Sequence, residues 1–320
     1  MTRFIPLILL ALLTAAPAFA ADDWPTRQVR LIVPFPPGGG TDVVARTVAA
    51  RLTEALGQSV WIDNRPGAGG TLGADLVAHA APDGYTIGMA TSSTHPAAVV
   101  LQKTVPYDPV TGFAPIALIG TTPYVLIASP QLPAATLREF IAYVQAHPGK
   151  VNYASVGAST LGYLVTRQFM ILTGTTTMVH VPYKGSAQIY PDLMSNEVSV
   201  EFDNPSGSAA LITSGKLRAY GVTQRSATVP DVPTFTALGV KDFDPVFWYG
   251  LVAPAGTPAL IVARINAEVV RIGQSPAGRA DLTAKSVEPA AETPQGFGAV
   301  IAGDVARFKA LAARLGIEPE

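Results

Sequence analysis

Four short turns in this sequence combine glycine with threonine or serine, a composition suited to binding an anion. They are PPGGGTD at 36–42, GAGGT at 67–71, TSST at 91–94 and SVGAST at 155–160. Glycine lets the backbone approach a ligand closely, and hydroxyl groups donate hydrogen bonds without adding charge. A helix N-terminus also attracts anions through its unpaired N–H groups and partial positive charge. The turns therefore predict a carboxylate site that needs no lysine, although each turn alone also fits simple helix capping.

Motifs for other chemistry are incomplete in this chain. No glycine precedes a lysine in the P-loop pattern, and GAGGTLG places Leu72 where a dinucleotide fingerprint has its third glycine. The sequence around Ser159 is GASTL and not the GxSxG of a nucleophile elbow. Metal-ligand spacing is absent among the four histidines, which are His79, His95, His147 and His180. We therefore predict no enzymatic activity, no metal and no cofactor.

A repeated order of strand, turn and helix places the four turns. An apolar run at 29–35 precedes the first turn, and a helical pattern then leads to Gly57, a residue suited to end a helix. Strands are predicted again at 60–63, 85–90, 125–128, 152–155, 178–181 and 198–203. This alternation predicts parallel sheets covered on both faces. In such sheets ligands bind beyond the carboxyl ends of the strands, where all four turns lie.

Threonines mark several predicted helix starts. Thr136 with Glu139 fits a capping box, and Thr71 is a candidate cap for the helix after the second turn. Thr257 and Thr293 each precede a proline suited to the first helical position.

The N-terminus has the features of an export signal. Arg3 supplies a positive charge, Phe4 to Leu13 form an apolar run, and AFA at 18–20 has the small-x-small form that signal peptidase cleaves. An apolar run of about ten residues is too short to span a bilayer, which needs roughly 20. We predict a signal peptide at 1–20, cleaved near Ala20, and a periplasmic location; the alternative is a buried N-terminal helix.

Composition limits the partners. Only 14% of the residues are charged and the formal net charge is -1, so nucleic acid is excluded as an expected partner. The chain has no cysteine, hence no lipid-attachment site and no disulfide framework. The part that follows the predicted signal is long enough for two domains of about 150 residues each.

The sequence resembles the tripartite tricarboxylate transporter substrate-binding proteins, the Bug family, over nearly the whole chain after the signal. The resemblance rests on VPFPPGGGTDVVAR, DNRPGAGGTLGAD, APDGYT, VPYDP, HPGKVNYASVG, HVPYKGSAQ, EFDNP, SGKLRAYGVT, VPDVPTF and FWYGLVAPAGTP, which occur in the family's order. It implies an α/β, type II periplasmic binding-protein fold, in which two α/β lobes close on a ligand cleft. The implied first lobe comprises 21–122 and 228–320, and the second comprises 123–227.

The resemblance also implies which residues contact the ligand. Carried over position by position, these are Phe35, Gly38, Gly39, Thr41, Asp42, Thr91, Ser92, Ser155, Gly157, Ser159, Thr160, Tyr163 and Asp203. In the family, backbone groups of the first loop hold one carboxylate, partly through ordered water. Phe35 equally fits simple packing, and Asp42 equally fits helix capping or an ion pair with Arg46.

Two positions depart from the family pattern. Members commonly have glycine where this chain has Ser159 and histidine where it has Tyr163, so we expect both residues to tune specificity. Arg65 and Lys184 are the nearest candidate cations. We expect Arg65 in a salt bridge or at the lobe surface, and Lys184 in a turn near the hinge or the partner surface.

The implied function is capture of a small carboxylate, either a dicarboxylate or an aromatic carboxylate, and its delivery to a tripartite tricarboxylate-type membrane permease. The protein is expected to act as a monomer. Two alternatives stay open from the sequence: a sensor that presents the bound carboxylate to a sensor kinase, and a periplasmic enzyme on the same scaffold.

Overall fold

A computed structural model describes residues 24–319, and the predicted signal peptide lies outside the described residues. The described chain is a mixed α/β protein with two sheets, as predicted for the fold class. Its strands are β1 Val29–Val33, β2 Val60–Asn64, β3 Thr86–Thr91, β4 Phe113–Pro123, β5 Val125–Ala128, β6 Asn152–Ser155, β7 Val179–Pro182, β8 Val200–Asp203, β9 Arg218–Val222, β10 Val246–Pro254 and β11 Glu288–Pro289. Its helices are α1 Gly40–Leu56, α2 Thr71–Ala78, α3 Ala98–Leu101, α4 Leu137–Ala146, α5 Leu161–Thr173, α6 Ser186–Ser195, α7 Pro205–Thr213, α8 Ala259–Gln274, α9 Pro276–Thr283 and α10 Pro294–Leu315.

The first sheet has six strands in the order β11-β4-β10-β3-β1-β2. Strand β1 lies parallel to β2 and β3, and α1 and α2 connect these strands. Four of the five residues of β1 are buried, as expected for a parallel strand covered on both faces. The carboxyl ends of β1 and β3 therefore bring the first and third turns to the same edge of this sheet.

The second sheet has five strands in the order β7-β6-β8-β5-β9. Strand β6 is parallel to β7 and β8, whereas β5 is antiparallel to β8 and β9. The prediction of parallel sheets is therefore confirmed only in part, because in the first sheet β10 is likewise antiparallel to β3 and β4. The reason is that β4 continues directly into β5 across one residue, so the chain enters the second sheet without a crossover helix.

Most predicted helix ends are confirmed. Gly57 ends α1 in the left-handed conformation at φ 69°. The Thr136 hydroxyl accepts a hydrogen bond from the Glu139 N–H, while the Glu139 carboxylate accepts from the Ala135 N–H. Thr293 caps α10 by accepting from the Gly296 N–H.

Two predicted caps are wrong. The Thr71 hydroxyl donates to the carbonyl of Ala68, and the Thr257 hydroxyl donates to the carbonyl of Pro254. Each threonine closes the turn that precedes its helix, and the N-cap residue is Gly70 for α2 and Pro258 for α8. Pattern alone does not separate these two uses of a hydroxyl, because both are local side chain–backbone bonds.

A cluster of phenylalanine rings forms the centre of the second lobe. Phe169 and Phe202 come from α5 and β8, and Phe235 and Phe243 come from the segment that follows β9. Neighbouring ring centroids lie 5.1–5.8 Å apart, within the range of favourable aromatic pairs. The segment after the expected lobe boundary at 227 therefore still packs on the second sheet.

This cluster predicts a large loss of stability when one ring is removed. Phe235 is fully buried, so Phe235→Ala is expected to lower the free energy of unfolding by about 3–5 kcal/mol through lost burial and a residual cavity. Leu260→Ala is the matched control, since Leu260 is 66% exposed and its truncation should cost less than about 0.5 kcal/mol. Urea unfolding followed by circular dichroism measures both, and equal effects would contradict the assigned packing.

Candidate functional site

A cavity of about 180 Å³ lies between the two sheets and is lined by residues of both lobes. The lining residues are Phe35, Pro36, Pro37, Gly39, Gly40, Thr41, Ser93, Tyr124, Ser155, Val156, Gly162, Gly185, Ser186, Ala187, Gln188, Glu201, Phe202, Asp203, Asn204 and Phe247. No lysine, arginine or histidine is among these described residues.

The N-terminus of α1 forms one wall of this cavity. Gly39 is the N-cap, in extended conformation and without a capping side chain, and Gly39, Gly40 and Thr41 all line the cavity. The first N–H groups of a helix have no intrahelical acceptors. The wall formed by 39–41 therefore offers backbone donors and the positive end of the helix dipole.

Asp42 holds the loop before α1 in place and is not a cavity-lining residue. Its carboxylate accepts hydrogen bonds from the Gly38 N–H at 3.0 Å and from the Asn64 amide at 2.9 Å. Arg46 forms the predicted ion pair with it through two hydrogen bonds of 2.9 and 3.0 Å. Burial alone would raise the pKa of Asp42, but the donors from Arg46, Gly38 and Asn64 together hold it below its ordinary value. The loop is thereby fixed with an ionised aspartate behind it.

The opposite wall comes from the second lobe. Gly185 is the N-cap of α6, again without a capping side chain, and 185–188 line the cavity. Ser155 is the last residue of β6, and its hydroxyl lies 2.7 Å from His180 Nε2. His180 in turn packs on the rings of Tyr153 and Tyr163, each with a centroid distance of 5.0 Å.

Two buried carboxyl groups on β8 complete the site. Glu201 and Asp203 are two residues apart, so they lie on the same face of the strand and both line the cavity. The Tyr190 hydroxyl donates to Asp203 Oδ2 at 2.9 Å, and the Ser186 hydroxyl donates to Glu201 Oε1 at 3.1 Å. Burial raises the pKa of both carboxyl groups, most strongly that of Glu201.

The structure brings five of the residues implied by the resemblance to the cavity wall, namely Phe35, Gly39, Thr41, Ser155 and Asp203. The others lie behind it or beside it: Gly38, Asp42, Thr91, Ser92, Gly157, Ser159, Thr160 and Tyr163. Whether any of them contacts a ligand stays a prediction.

Hydroxyl groups of the third and fourth turns are largely used within the protein. The Thr91 and Thr94 hydroxyls lie 3.2 Å apart, and Ser92 accepts from the Trp248 N–H. The Thr160 hydroxyl donates to the carbonyl of Gly157. In the third turn it is Ser93 that lines the cavity, a residue that the sequence analysis missed.

Sequence reasoning also missed Glu201, Ser186 and Gln188. A signal for Glu201 existed, since it alternates with Asp203 along a predicted strand and therefore shares its face. The positions of Ser186 and Gln188 depend on where α6 meets the first lobe, which no local pattern encodes.

Direct contacts across the cleft show that the two lobes are closed on each other. The Leu161 N–H donates to Ser93 Oγ at 3.1 Å. A Cβ atom at Gly185 would lie 2.9 Å from Pro36, and one at Gly69 would overlap Ser159 Oγ. All four turns therefore meet at the boundary between the lobes.

The expectations for the two candidate cations are confirmed in part. Arg65 forms an ion pair with Asp63 at 3.0 Å and is half exposed. Lys184 is exposed and does not line the cavity.

Across residues 24–319, no group of three or more His, Asp or Glu side chains is arranged to hold a metal ion. The helices in the same range are each too short or too polar to cross a membrane.

Comparison with known proteins gives consistent matches over the chain. Residues 44–317 match the sequence model of the tripartite tricarboxylate transporter family receptor. Protein BugT of Bordetella pertussis is 36% identical over 314 residues, which cover 96% of each chain.

Two solved structures from Rhodopseudomonas palustris were determined with carboxylates. Rpa4515 with adipate is 35% identical, with a TM-score of 0.90 and coverage of 93% of this chain and 100% of its own. MatC with bound malate is also 35% identical, with a TM-score of 0.85 and coverage of 90% and 99%. The likeness thus includes both sequence and fold.

The Asp42 network predicts a pH-dependent contribution to stability. Because the pKa of Asp42 is lowered in the folded protein, its stabilisation is fully present above the ordinary value of 3.8 and is lost as the pH falls below it. At pH 7, Asp42→Asn is expected to lower the free energy of unfolding by about 1–3 kcal/mol. The difference in unfolding free energy between Asp42→Asn and the wild-type protein should be smaller at pH 3 than at pH 7, as measured by urea unfolding at both pH values.

Glu54→Gln on the same helix is the control for this substitution. Glu54 forms an exposed ion pair with Arg51, so its removal should change stability by less than about 1 kcal/mol at either pH. A deficit for Asp42→Asn that is unchanged between pH 7 and pH 3 would contradict the ionised network.

Proposed function

The chain belongs to the tripartite tricarboxylate transporter receptor family, and from this premise we propose that it captures a small carboxylate and delivers it to a membrane permease of that transporter type. The observation that supports carboxylate capture most directly is the pair of helix N-termini, those of α1 and α6, that face one interlobe cavity. The adipate and malate in the related structures belong to the same ligand class.

The proposed contacts use backbone and hydroxyl donors. One carboxylate group lies at the N–H groups of 39–41, with the Thr41 and Ser93 hydroxyls beside it and with Ser155 and the first turn of α6 opposite. Micromolar capture requires about -8 kcal/mol. Charge-assisted hydrogen bonds contribute roughly 1.5–3 kcal/mol each, so a few of them together with apolar burial suffice without a buried cation.

Closure of the lobes supplies the rest of the mechanism. The turn at 155–160 meets Gly69 of the first lobe through Ser159, and Leu161, the next residue, donates to Ser93. Contacts on the solute and contacts between the lobes therefore form together. A solute that bridges both walls favours the closed state by its differential affinity for that state. The permease would then recognise the closed form.

The remaining assignments are part of the same proposal. We place the protein in the periplasm after signal cleavage near Ala20, as a monomer that releases its solute chemically unchanged. We propose that the chain enters the second lobe near 123, as expected. The packing of Phe235 and Phe243 on Phe169 and Phe202 favours its return near 244 over the expected 227.

A ligand-induced melting shift tests carboxylate capture. The wild-type protein is expected to melt several degrees higher with one or more of succinate, malate, adipate and benzoate, since ligand at a hundredfold its Kd adds about 2.7 kcal/mol. Ser155→Tyr should abolish the shift, because the added ring would occupy much of the cavity. Ser214→Tyr, at an exposed position, should retain it.

Differential scanning fluorimetry measures these shifts, and mass spectrometry of the released solute tests for chemical change. The carboxylate assignment fails if the wild-type protein responds to no member of the panel. A solute released in altered form would refute the non-enzymatic role.

Closure of the cleft is tested at Gly69. Its φ of 65° is left-handed, and an added Cβ would overlap Ser159 Oγ of the second lobe, so Gly69→Ala is expected to weaken ligand binding at least about tenfold. The double variant Gly69→Ala/Ser159→Gly removes the overlap and should recover most of the affinity. Gly57→Ala is the matched control, because Gly57 has a φ of 69° with no atom within 4 Å of an added Cβ.

Isothermal titration calorimetry with a carboxylate that shifts the wild-type protein gives the affinities. Gly57→Ala should lose stability through backbone strain and keep wild-type affinity. If Ser159→Gly does not rescue Gly69→Ala, then Gly69 does not act through contact with Ser159.

A further inference from the structure

Glu201 is an unusual residue for the wall of an anion site. It lies on β8, lines the interlobe cavity, and is only 2% exposed. The paired residue on the neighbouring strand β6 is Ala154, so no polar side chain is in register with it there.

The two oxygens of this carboxyl group have different surroundings. Oε1 accepts a hydrogen bond from the Ser186 hydroxyl at 3.1 Å. Oε2 is fully buried and has no hydrogen-bond partner among the residues that the structure describes. Buried polar atoms are nearly always hydrogen-bonded, and Glu201 lines the cavity, so a bound solute is a candidate partner for this oxygen once the side chain turns toward it.

The titratable groups that interact electrostatically with Glu201 are acidic or phenolic. Asp203 lies on the same strand, Tyr190 and Tyr183 lie on and before α6, and Tyr124 precedes β5. No cationic side chain is among the described residues that line the cavity. A buried carboxylate without a cation is strongly disfavoured, and burial accordingly raises the pKa of Glu201 well above its ordinary value of 4.5.

We propose that Glu201 is a neutral carboxylic acid in the closed cleft and that its Oε2–H group donates a hydrogen bond to a carboxylate oxygen of the bound solute. The proton lies on Oε2 because Oε1 already accepts from Ser186. This inference rests on the proposed function, since it assigns one donor for the captured carboxylate.

The same geometry makes solute binding proton-coupled. We expect an open cleft to give Glu201 access to water and to lower its pKa toward the ordinary value, whereas the closed cleft favours the protonated form beside the solute. One proton is therefore taken up on closure, and two negative carboxylates never face each other. A carboxyl–carboxylate pair that shares one proton is a strong, short type of hydrogen bond.

Two substitutions separate a neutral donor from other roles. Glu201→Gln retains an oxygen to accept from Ser186 and an N–H₂ group to donate to the solute, so its affinity at pH 7 should stay within about threefold of wild type or improve. Glu201→Leu removes the donor and should weaken binding by about tenfold to a hundredfold. Glu197→Gln is the matched control, since Glu197 is exposed in the loop before β8.

The pH dependence gives an independent measurement. Because we expect the pKa of Glu201 to be higher in the closed, liganded state than in the open one, wild-type affinity should fall as the pH rises across the interval between these two pKa values, by at most about tenfold per pH unit from this group. The affinity of the Glu201→Gln variant should not show the part of this pH dependence that the titration of Glu201 contributes. Calorimetry between pH 5.5 and 8.5, in buffers of different ionisation enthalpy, should show about one proton fewer taken up by the variant.

The probes are succinate, malate, adipate and benzoate, with aspartate and glutamate as ammonium-bearing counterparts. The proposal is overturned if only the ammonium-bearing solutes bind and Glu201→Gln weakens them more than tenfold, because Glu201 would then be an ionised partner of the ammonium group. It is also overturned if Glu201→Gln and Glu201→Leu weaken carboxylates equally and proton uptake matches wild type.

The failure of this inference is distinct from failure of the proposed function. No response of the wild-type protein to any carboxylate overturns both. A carboxylate response that is independent of pH, with unchanged proton uptake in Glu201→Gln, overturns only the role of Glu201. Melting of each variant without solute shows whether it is folded.

Discussion

One electrostatic constraint governs the proposed site: an anion is to be held between two lobes by a wall whose described residues include no basic side chain. Taking an ion out of water costs several kcal/mol unless nearby groups compensate. Here the compensation comes from the N-termini of α1 and α6, which present N–H groups and a partial positive charge from opposite lobes. These donors belong to the backbone and are fixed when the helices form.

Backbone donors act only at short range, so the two lobes must approach each other closely. Glycine permits this approach because it has no side chain. Gly69 and Gly185 each lie where a side chain would collide with the other lobe. The first loop is held from behind by Asp42, whose charge is balanced by Arg46 and therefore does not oppose the solute. The permanent negative charge is thus paired outside the cavity, whereas the carboxyl groups inside it have raised pKa values.

Much of the candidate site was predictable, and the errors have a common cause. Phe35, Gly39 and Thr41 line the cavity because a glycine-rich turn after a buried strand leads there in any fold of this class. Ser92 and Thr160 lie in turns of similar composition. However, the Ser92 hydroxyl accepts a hydrogen bond from the backbone of β10, and the Thr160 hydroxyl donates to the carbonyl of Gly157. Whether a hydroxyl faces the solute or the backbone depends on geometry within one turn, and residue type does not specify it.

The sequence by itself determined the α/β alternation, the ends of most helices, the Asp42–Arg46 pair and the family, because these follow from local spacing and composition. The tertiary structure alone decided the mixed sheets, the contact of Gly69 with Ser159, and the position of Ser186 and Glu201 at the cavity. Each of these depends on how segments distant in sequence approach one another. Two carboxyl groups on one strand face are a local pattern, but only the closed cleft, with no cation in its described wall, brings the protonation of Glu201 into the proposed binding chemistry.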